Sequence, residues 1–190
     1  FNHPSIIMWG MLNEFRSEVE ELRPVVKTLT DTFRRLDSTR PITYATNRLM
    51  GNPDKLLDLI DILSPNLYNR WYEGAYGDYP DNPAEFLDLC IQSFEEMGQG
   101  DKPIIIGEFG AGALVGNYWL DRIHWSEEGQ VDILLEAIRA YEANPRVSGY
   151  TIWLFADTAT GELKVHNRPG GHNCKGIVDR YRNPKMAYYS

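Results

Sequence analysis

The chain has 190 residues, 43% hydrophobic and 12% aromatic, enough for one domain with a substantial core and too apolar for a disordered segment. Its formal net charge of −8 argues against nucleic acid or an anionic membrane surface as a partner, since either would be repelled. Cys90 and Cys174 make no disulfide framework and are expected as free thiols, with a lean towards a reducing, cytoplasmic compartment; no run of about 18 apolar residues offers a membrane span.

Phe1-Asn2-His3-Pro4 lacks the basic start of a signal peptide, and a strand is predicted to begin at once. That strand, Ser5-Ile6-Ile7-Met8-Trp9-Gly10-Met11-Leu12, ends abruptly in an amide and a carboxylate, Asn13 and Glu14. A helix follows, with Ser17 as cap and Glu18, Glu20 and Glu21 where the helix dipole favours anions. Its apolar stripe is Leu22, Val26, Leu29, Phe33 and Leu36; Pro24 costs a hydrogen bond inside a helix, so the regular part can also begin there. The turn Asp37-Ser38-Thr39-Arg40-Pro41 leads to the strand Ile42–Thr46, a short helix over Pro53–Leu59 and the strand Asp61–Ser64.

The loop from Asn69 to Asp81 is rich in Trp, Tyr and Gly, a composition suited to binding. Asn82 caps a third helix with Pro83 at its first position, and the stripe Leu87, Cys90, Phe94 and Met97 makes Cys90 a core thiol. Pro103-Ile104-Ile105-Ile106-Gly107-Glu108 repeats the opening plan, a buried-strand run that delivers a carboxylate. After a Gly- and Trp-rich loop, Ser126 caps a fourth helix carrying Val131, Leu134, Leu135, Ile138 and Tyr141, stopped by Asn144-Pro145. The last strand is Val147–Phe155, and the long polar segment 156–183 has the length of a functional loop. Pro184–Ser190 reads as a helix cut off in its first turns, so the chain is expected to be a piece of something longer.

Five strands alternating with helices predict a parallel α/β sheet. A small doubly wound domain would usually bring a Gly-rich phosphate loop, and none occurs, so the C-terminal part of a (β/α)8 TIM barrel is the better expectation. In a barrel both carboxylates would lie at the C-terminal mouth, where active sites sit. Hydrolysis of a glycosidic bond needs such a pair, one acid to protonate the leaving oxygen and one carboxylate to attack, about 5–5.5 Å apart in the retaining version. Either Glu alone reads better as an ordinary helix-cap or surface carboxylate; the pair carries the argument. His166, His172 and Cys174 match no standard zinc spacing.

Asn2-His3-Pro4-Ser5-Ile6-Ile7-Met8-Trp9 with Asn13-Glu14 resembles the acid/base segment of glycoside hydrolase family 2, and Ile105-Ile106-Gly107-Glu108-Phe109-Gly110 resembles its nucleophile segment. The resemblance extends over the chain, through Asp37–Ile42 and Trp125-Ser126-Glu127-Glu128. It implies barrel strands 4 to 8, a retaining mechanism, Glu14 as acid/base, Glu108 as nucleophile, and Asn13 bonded to the sugar 2-hydroxyl. Within the family the sequence is most similar to the β-glucuronidases, with a β-galactosidase or β-galacturonidase as the alternative of the same chemistry. A non-catalytic half-barrel is the alternative of a different class.

Asn66-Leu67-Tyr68-Asn69-Arg70-Trp71-Tyr72 resembles the strand-6 loop, making Tyr68 and Tyr72 candidates near the nucleophile, and Trp153-Leu154-Phe155-Ala156-Asp157 the strand-8 segment, with Trp153 as floor of the sugar site. Tyr68 and Trp153 serve equally as barrel-core aromatics on composition alone. Asn173-Cys174-Lys175 matches the Asn-x-Lys motif that holds a uronate carboxylate, whereas Lys164 and Arg168 fall where the spacing departs from the family pattern. The implied reaction takes a small-molecule glycoside and needs no cofactor or metal. Family members carry β-sandwich domains and strands 1 to 3 ahead of this region, so the chain is expected to need that part or a second copy of itself, the full-length protein being a homo-oligomer.

Overall fold

The computed structural model describes residues 3–49, 51–72, 79–160 and 168–190. Asn2, Lys164, His166 and much of the aromatic loop lie outside the described residues. Strands and helices follow the expected order, with a single 3-10 turn in place of the helix between the second and third strands: β1 (Trp9–Asn13), α1 (Arg23–Leu36), β2 (Ile42–Thr46), β3 (Ser64–Pro65), α2 (Pro83–Glu96), β4 (Ile104–Phe109), α3 (Glu127–Ala143) and β5 (Val147–Ile152). Two further short strands, β6 (Thr158–Ala159) and β7 (His172–Asn173), pair antiparallel within the segment read as a polar loop. No helix among the described residues is long and apolar enough to cross a membrane.

The chain divides into two compact units, the first holding Phe1–Leu67, Glu85–Gly107 and Asn144–Tyr150, the second Tyr68–Ala84, Glu108–Ala143 and Thr151–Ser190. In the first unit β1, β2 and β3 pair in parallel in that order, and a parallel bridge joins Leu63 to Ile104 beside β4. β4 in turn pairs with β5. Both β4 and β5 pass from the first unit into the second.

The opening strand begins four residues later than the apolar run suggests. Pro4 offers no N–H to a ladder, Ile7 is largely exposed, and the Ile6 carbonyl accepts from the Arg40 guanidinium (2.6 Å) instead of from a strand. Pairing starts where the Trp9 N–H meets the Pro41 carbonyl at 2.9 Å. The proline rule decides the first helix: a single 3-10 turn, Glu20–Leu22, precedes α1, whose first turn holds Pro24. Val26 and Thr30 are its buried positions, and Leu36 is exposed. The short helix near Pro53 contracts to one turn, Leu57–Leu59, and the next strand to Ser64–Pro65. The C-terminal helix likewise shrinks to the 3-10 turn Met186–Tyr188, and β5 ends at Ile152 instead of Phe155.

The caps sit where the polar residues placed them. Asn82 Oδ1 accepts the Ala84 N–H (2.9 Å) and Ser126 Oγ the Gly129 N–H (3.0 Å). Cys90 is fully buried on α2 with Leu87 and Phe94, and burial pushes its thiol well above the usual range. On α3 the buried face is Ile133, Leu134, Ala137 and Tyr141, turned slightly from the stripe read in the sequence.

Asp37 ties α1 to the strands beside it. It accepts from the Thr39 hydroxyl (2.6 Å), the Thr39 N–H (2.9 Å), Arg40 (2.5 Å) and Trp9 Nε1 (3.1 Å), and these donors, Thr39 and Arg40 foremost, hold its carboxyl well below the usual carboxylate range. A depressed folded value means the stability is full above the unfolded value, about 3.9, and is lost as pH falls towards the folded one. Asp37→Asn is therefore expected to lower the urea midpoint at pH 7, and the gap to wild type to shrink progressively below about pH 4. A gap that stayed constant with pH would show that Asp37 acts without its charge.

Candidate active site

In the first unit the site is built where β1 ends. The register runs Trp9 to Ile42 and Gly10 to Thr43, but Asn13 to Ala45, so β1 spends three steps where β2 spends two. An extra residue of this kind bends a strand and re-aims the side chains that follow. Glu14 then takes φ 46°, the left-handed region, with its N–H on the Ala45 carbonyl at 2.9 Å. A non-glycine residue held there costs on the order of 1–3 kcal/mol and is typical of functional sites. The result is one carboxylate and one amide side by side, and a third group meets both. Asn66 Nδ2 donates to Glu14 Oε1 at 2.8 Å and to Asn13 Oδ1 at 3.1 Å.

In the second unit Glu108 is the penultimate residue of β4. The Tyr68 hydroxyl donates to Glu108 Oε2 at 2.6 Å, and the rings of Tyr68 and Tyr72 meet edge to face at 5.2 Å. Lys175 is buried, 1% exposed, with Nζ donating to the Tyr72 hydroxyl at 2.6 Å and lying 4.5 Å from the Tyr72 ring, 5.2 Å from Trp71 and 5.4 Å from Tyr68. Rings at these distances attract a cation through their negative faces. Arg168 also donates to the Tyr72 hydroxyl, at 3.2 Å.

Asn173 is buried on β7, and its Oδ1 accepts the Lys175 N–H at 3.2 Å, which puts the donor nitrogen of the amide on the other side. Trp153 follows β5, is 38% exposed, and donates its N–H to the Phe109 carbonyl at 2.8 Å; its peptide to Leu154 is cis. A Cβ at Gly110 would collide with the Trp153 carbonyl, so this glycine lets the two segments meet.

Three residues that spacing did not single out hold the Lys175 segment in place. Lys185, buried, donates to Asp157 Oδ1 (2.8 Å), the Ala113 carbonyl (2.8 Å) and the Cys174 carbonyl (2.9 Å). Asp157 Oδ1 also accepts the Gly176 N–H (2.8 Å), and burial before all else pushes the Asp157 carboxyl up. Gln130 Nε2 donates to the Ala111 carbonyl at 2.8 Å and the Gly176 carbonyl at 3.1 Å. The loop tryptophans part company: Trp125 packs against Trp71 at 4.9 Å, while Trp119 is half exposed.

Of the residues singled out, Asn13 and Glu14 belong to the first unit, and Tyr68, Tyr72, Glu108, Trp153, Asn173 and Lys175 to the second. Residues 1–190 match the family described as glycosyl hydrolases family 2, TIM barrel domain.

The chain belongs to glycosyl hydrolase family 2. Its fold is accordingly that of an α/β TIM barrel. The family 2 chain is 33% identical over 189 residues to the beta-glucuronidase of Streptococcus agalactiae, covering 98% of this chain and 30% of that protein. With the human beta-glucuronidase the identity is 32% over 190 residues, 99% of this chain and 28% of the relative. Among solved structures, the GH2 beta-galacturonidase from Eisenbergiella tayi bound to galacturonate superposes with a TM-score of 0.91 at 36% identity, over 99% of this chain and 33% of that one. The beta-D-glucuronidase of Dictyoglomus thermophilum gives 0.86 at 32%, over 99% and 31%. The chain thus spans about a third or less of the length of these relatives.

Proposed function

We propose that these residues are strands 4 to 8 of the catalytic barrel of a retaining β-glycosidase, acting on β-D-glucuronides. The carrying observation is the arrangement of the second unit. One tyrosine, Tyr68, hydrogen-bonds the Glu108 carboxylate while the Lys175 ammonium lies over its ring and on the neighbouring Tyr72. A nucleophilic carboxylate and a buried cation on one aromatic platform suit a sugar that brings its own anion. The carboxylate of the uronate would pair with Lys175 and take a second hydrogen bond from the Asn173 amide.

In the first step a Glu108 oxygen bonds to the anomeric carbon as the bond to the aglycone oxygen breaks. That oxygen keeps the electron pair and takes the proton of Glu14. In the second, Glu14 removes a proton from water, the water oxygen bonds to the anomeric carbon, and the Glu108 ester bond breaks, returning both carboxyl groups to their starting states. Asn13 donates to the sugar 2-hydroxyl, a contact that strengthens in the transition state. Trp153 forms the floor of the sugar site.

A second reading keeps the mechanism and changes one stereocentre. The 36% identity to a beta-galacturonidase bound to galacturonate favours it, and the Asn173–Lys175 pair serves either uronate because it addresses the carboxylate and not C4. The deciding experiment compares p-nitrophenyl β-D-glucuronide, galacturonide and galactoside with the full-length protein that contains this segment. We expect the glucuronide to be the best substrate and the neutral galactoside the worst. A galactoside preference that persisted in Lys175→Ala would sink the uronate reading, and no turnover of any glycoside would sink the enzyme.

A further inference from the structure

The amide of Asn66 does two jobs for the acid end of the site. Asn66 is 4% exposed, so it is fixed by its neighbours and not by water. Its Nδ2 carries two protons and no lone pair available for hydrogen bonding, so at both of its contacts it must donate. One contact is Glu14 Oε1 (2.8 Å) and the other Asn13 Oδ1 (3.1 Å). The reverse orientation would set a carbonyl oxygen against the Glu14 carboxylate, acceptor against acceptor.

The other end of the amide lies close against the backbone of β4 at Gly107. A Cβ built on Gly107 would stand 2.7 Å from Asn66 Oδ1 and 2.6 Å from Ser64 Oγ, so the bare backbone of β4 is what admits the carboxamide. Asn66 Oδ1 is buried there without a hydrogen-bond partner among the described residues, a cost accepted for the position of Nδ2.

Two consequences follow from donor and acceptor counting. A carboxylic acid has one proton for two oxygens, and Oε1 of Glu14 is already held as an acceptor, so the proton of the acid form sits on Oε2. Asn13, with Oδ1 turned to Asn66, has its own N–H groups turned away from it. We propose that Asn66 is the positioning residue of the acid/base, directing the transferable proton of Glu14 to Oε2 and orienting the Asn13 amide as a donor. The proposal rests on the reading of Glu14 as the proton donor.

The test uses kcat/KM of the full-length protein on two glucuronides. The methyl glucuronide needs its leaving oxygen protonated, whereas 2,4-dinitrophenolate leaves without a proton. Asn66→Asp, which keeps the volume and removes both N–H groups, is expected to lower kcat/KM on the methyl glucuronide about 10²-fold, the lower end of what a positioned general acid contributes. On the dinitrophenyl glucuronide the loss should stay within a few-fold. Gly107→Ala, whose added Cβ would press on the Asn66 carboxamide as well as the Ser64 hydroxyl, should reproduce the same split. Equal losses on both substrates in both variants would make Asn66 a merely structural residue and overturn the proposal, as would no loss on either. A wild-type protein that cleaves neither glucuronide overturns the parent reading as well, and is told apart from the other outcomes by the wild-type rates alone.

Discussion

Replacing Glu108 by Gln in the full-length protein is expected to lower kcat on an aryl glucuronide by roughly four orders of magnitude or more, the scale on which loss of a covalent nucleophile is felt. The amide is nearly isosteric with the carboxylate, and its carbonyl can still accept from the Tyr68 hydroxyl, which lies 2.6 Å from Glu108 Oε2. The fold should therefore survive, and an unchanged melting temperature with abolished turnover is the expected pair of results. What the amide cannot do is form a glycosyl ester. Intact mass after incubation with an activated 2-deoxy-2-fluoro glucuronide should show one added sugar on the wild type and none on the variant. Retained turnover in Glu108→Gln would remove the double displacement from this site, whatever the substrate.

The position of both carboxylates at or beside a strand end was legible because each closes a β-branched run, and a strand end is where a parallel α/β sheet presents its side chains. Pattern alone misplaced what the pattern does not encode. The apolar run Ile6-Ile7-Met8 reads as strand, yet Arg40 takes the Ile6 carbonyl, a contact between residues 34 apart that no local rule anticipates. The bulge before Asn13 and the left-handed backbone at Glu14 are likewise products of pairing with β2, visible only in the register.

Lys185, given no role within the helix-like tail Pro184–Ser190, is a buried clamp on Asp157 and two carbonyls. Asn66 was part of a family-like motif without a role of its own; its role comes from touching residues 52 and 53 positions away. Gly107 had the opposite history. It stood in the nucleophile segment as a motif letter, and the close approach of Ser64 and Asn66 gives the physical reason for a residue with no side chain. Long-range polar contacts were the common blind spot, because side-chain periodicity reports faces and not partners.

Lys175→Met tests the substrate rather than the chemistry. Methionine keeps an unbranched side chain and removes the ammonium that lies among the Tyr68, Trp71 and Tyr72 rings. If the ammonium pairs with the uronate carboxylate, its loss removes a charge-assisted hydrogen bond. The uronate is then left to desolvate against a phenol and three rings, and kcat/KM on the glucuronide should fall about 10²–10³-fold. A neutral β-glucoside brings no carboxylate, and in the wild type it would set an uncharged hydroxymethyl group where the buried ammonium favours an anion; it should lose nothing in the variant and can gain. The ratio of the two kcat/KM values is thus the informative quantity, since a variant that merely folded less well would lower both alike. A ratio unchanged from wild type, with both rates intact, would assign Lys175 to the aromatic platform as a structural cation and move the recognition of the sugar elsewhere.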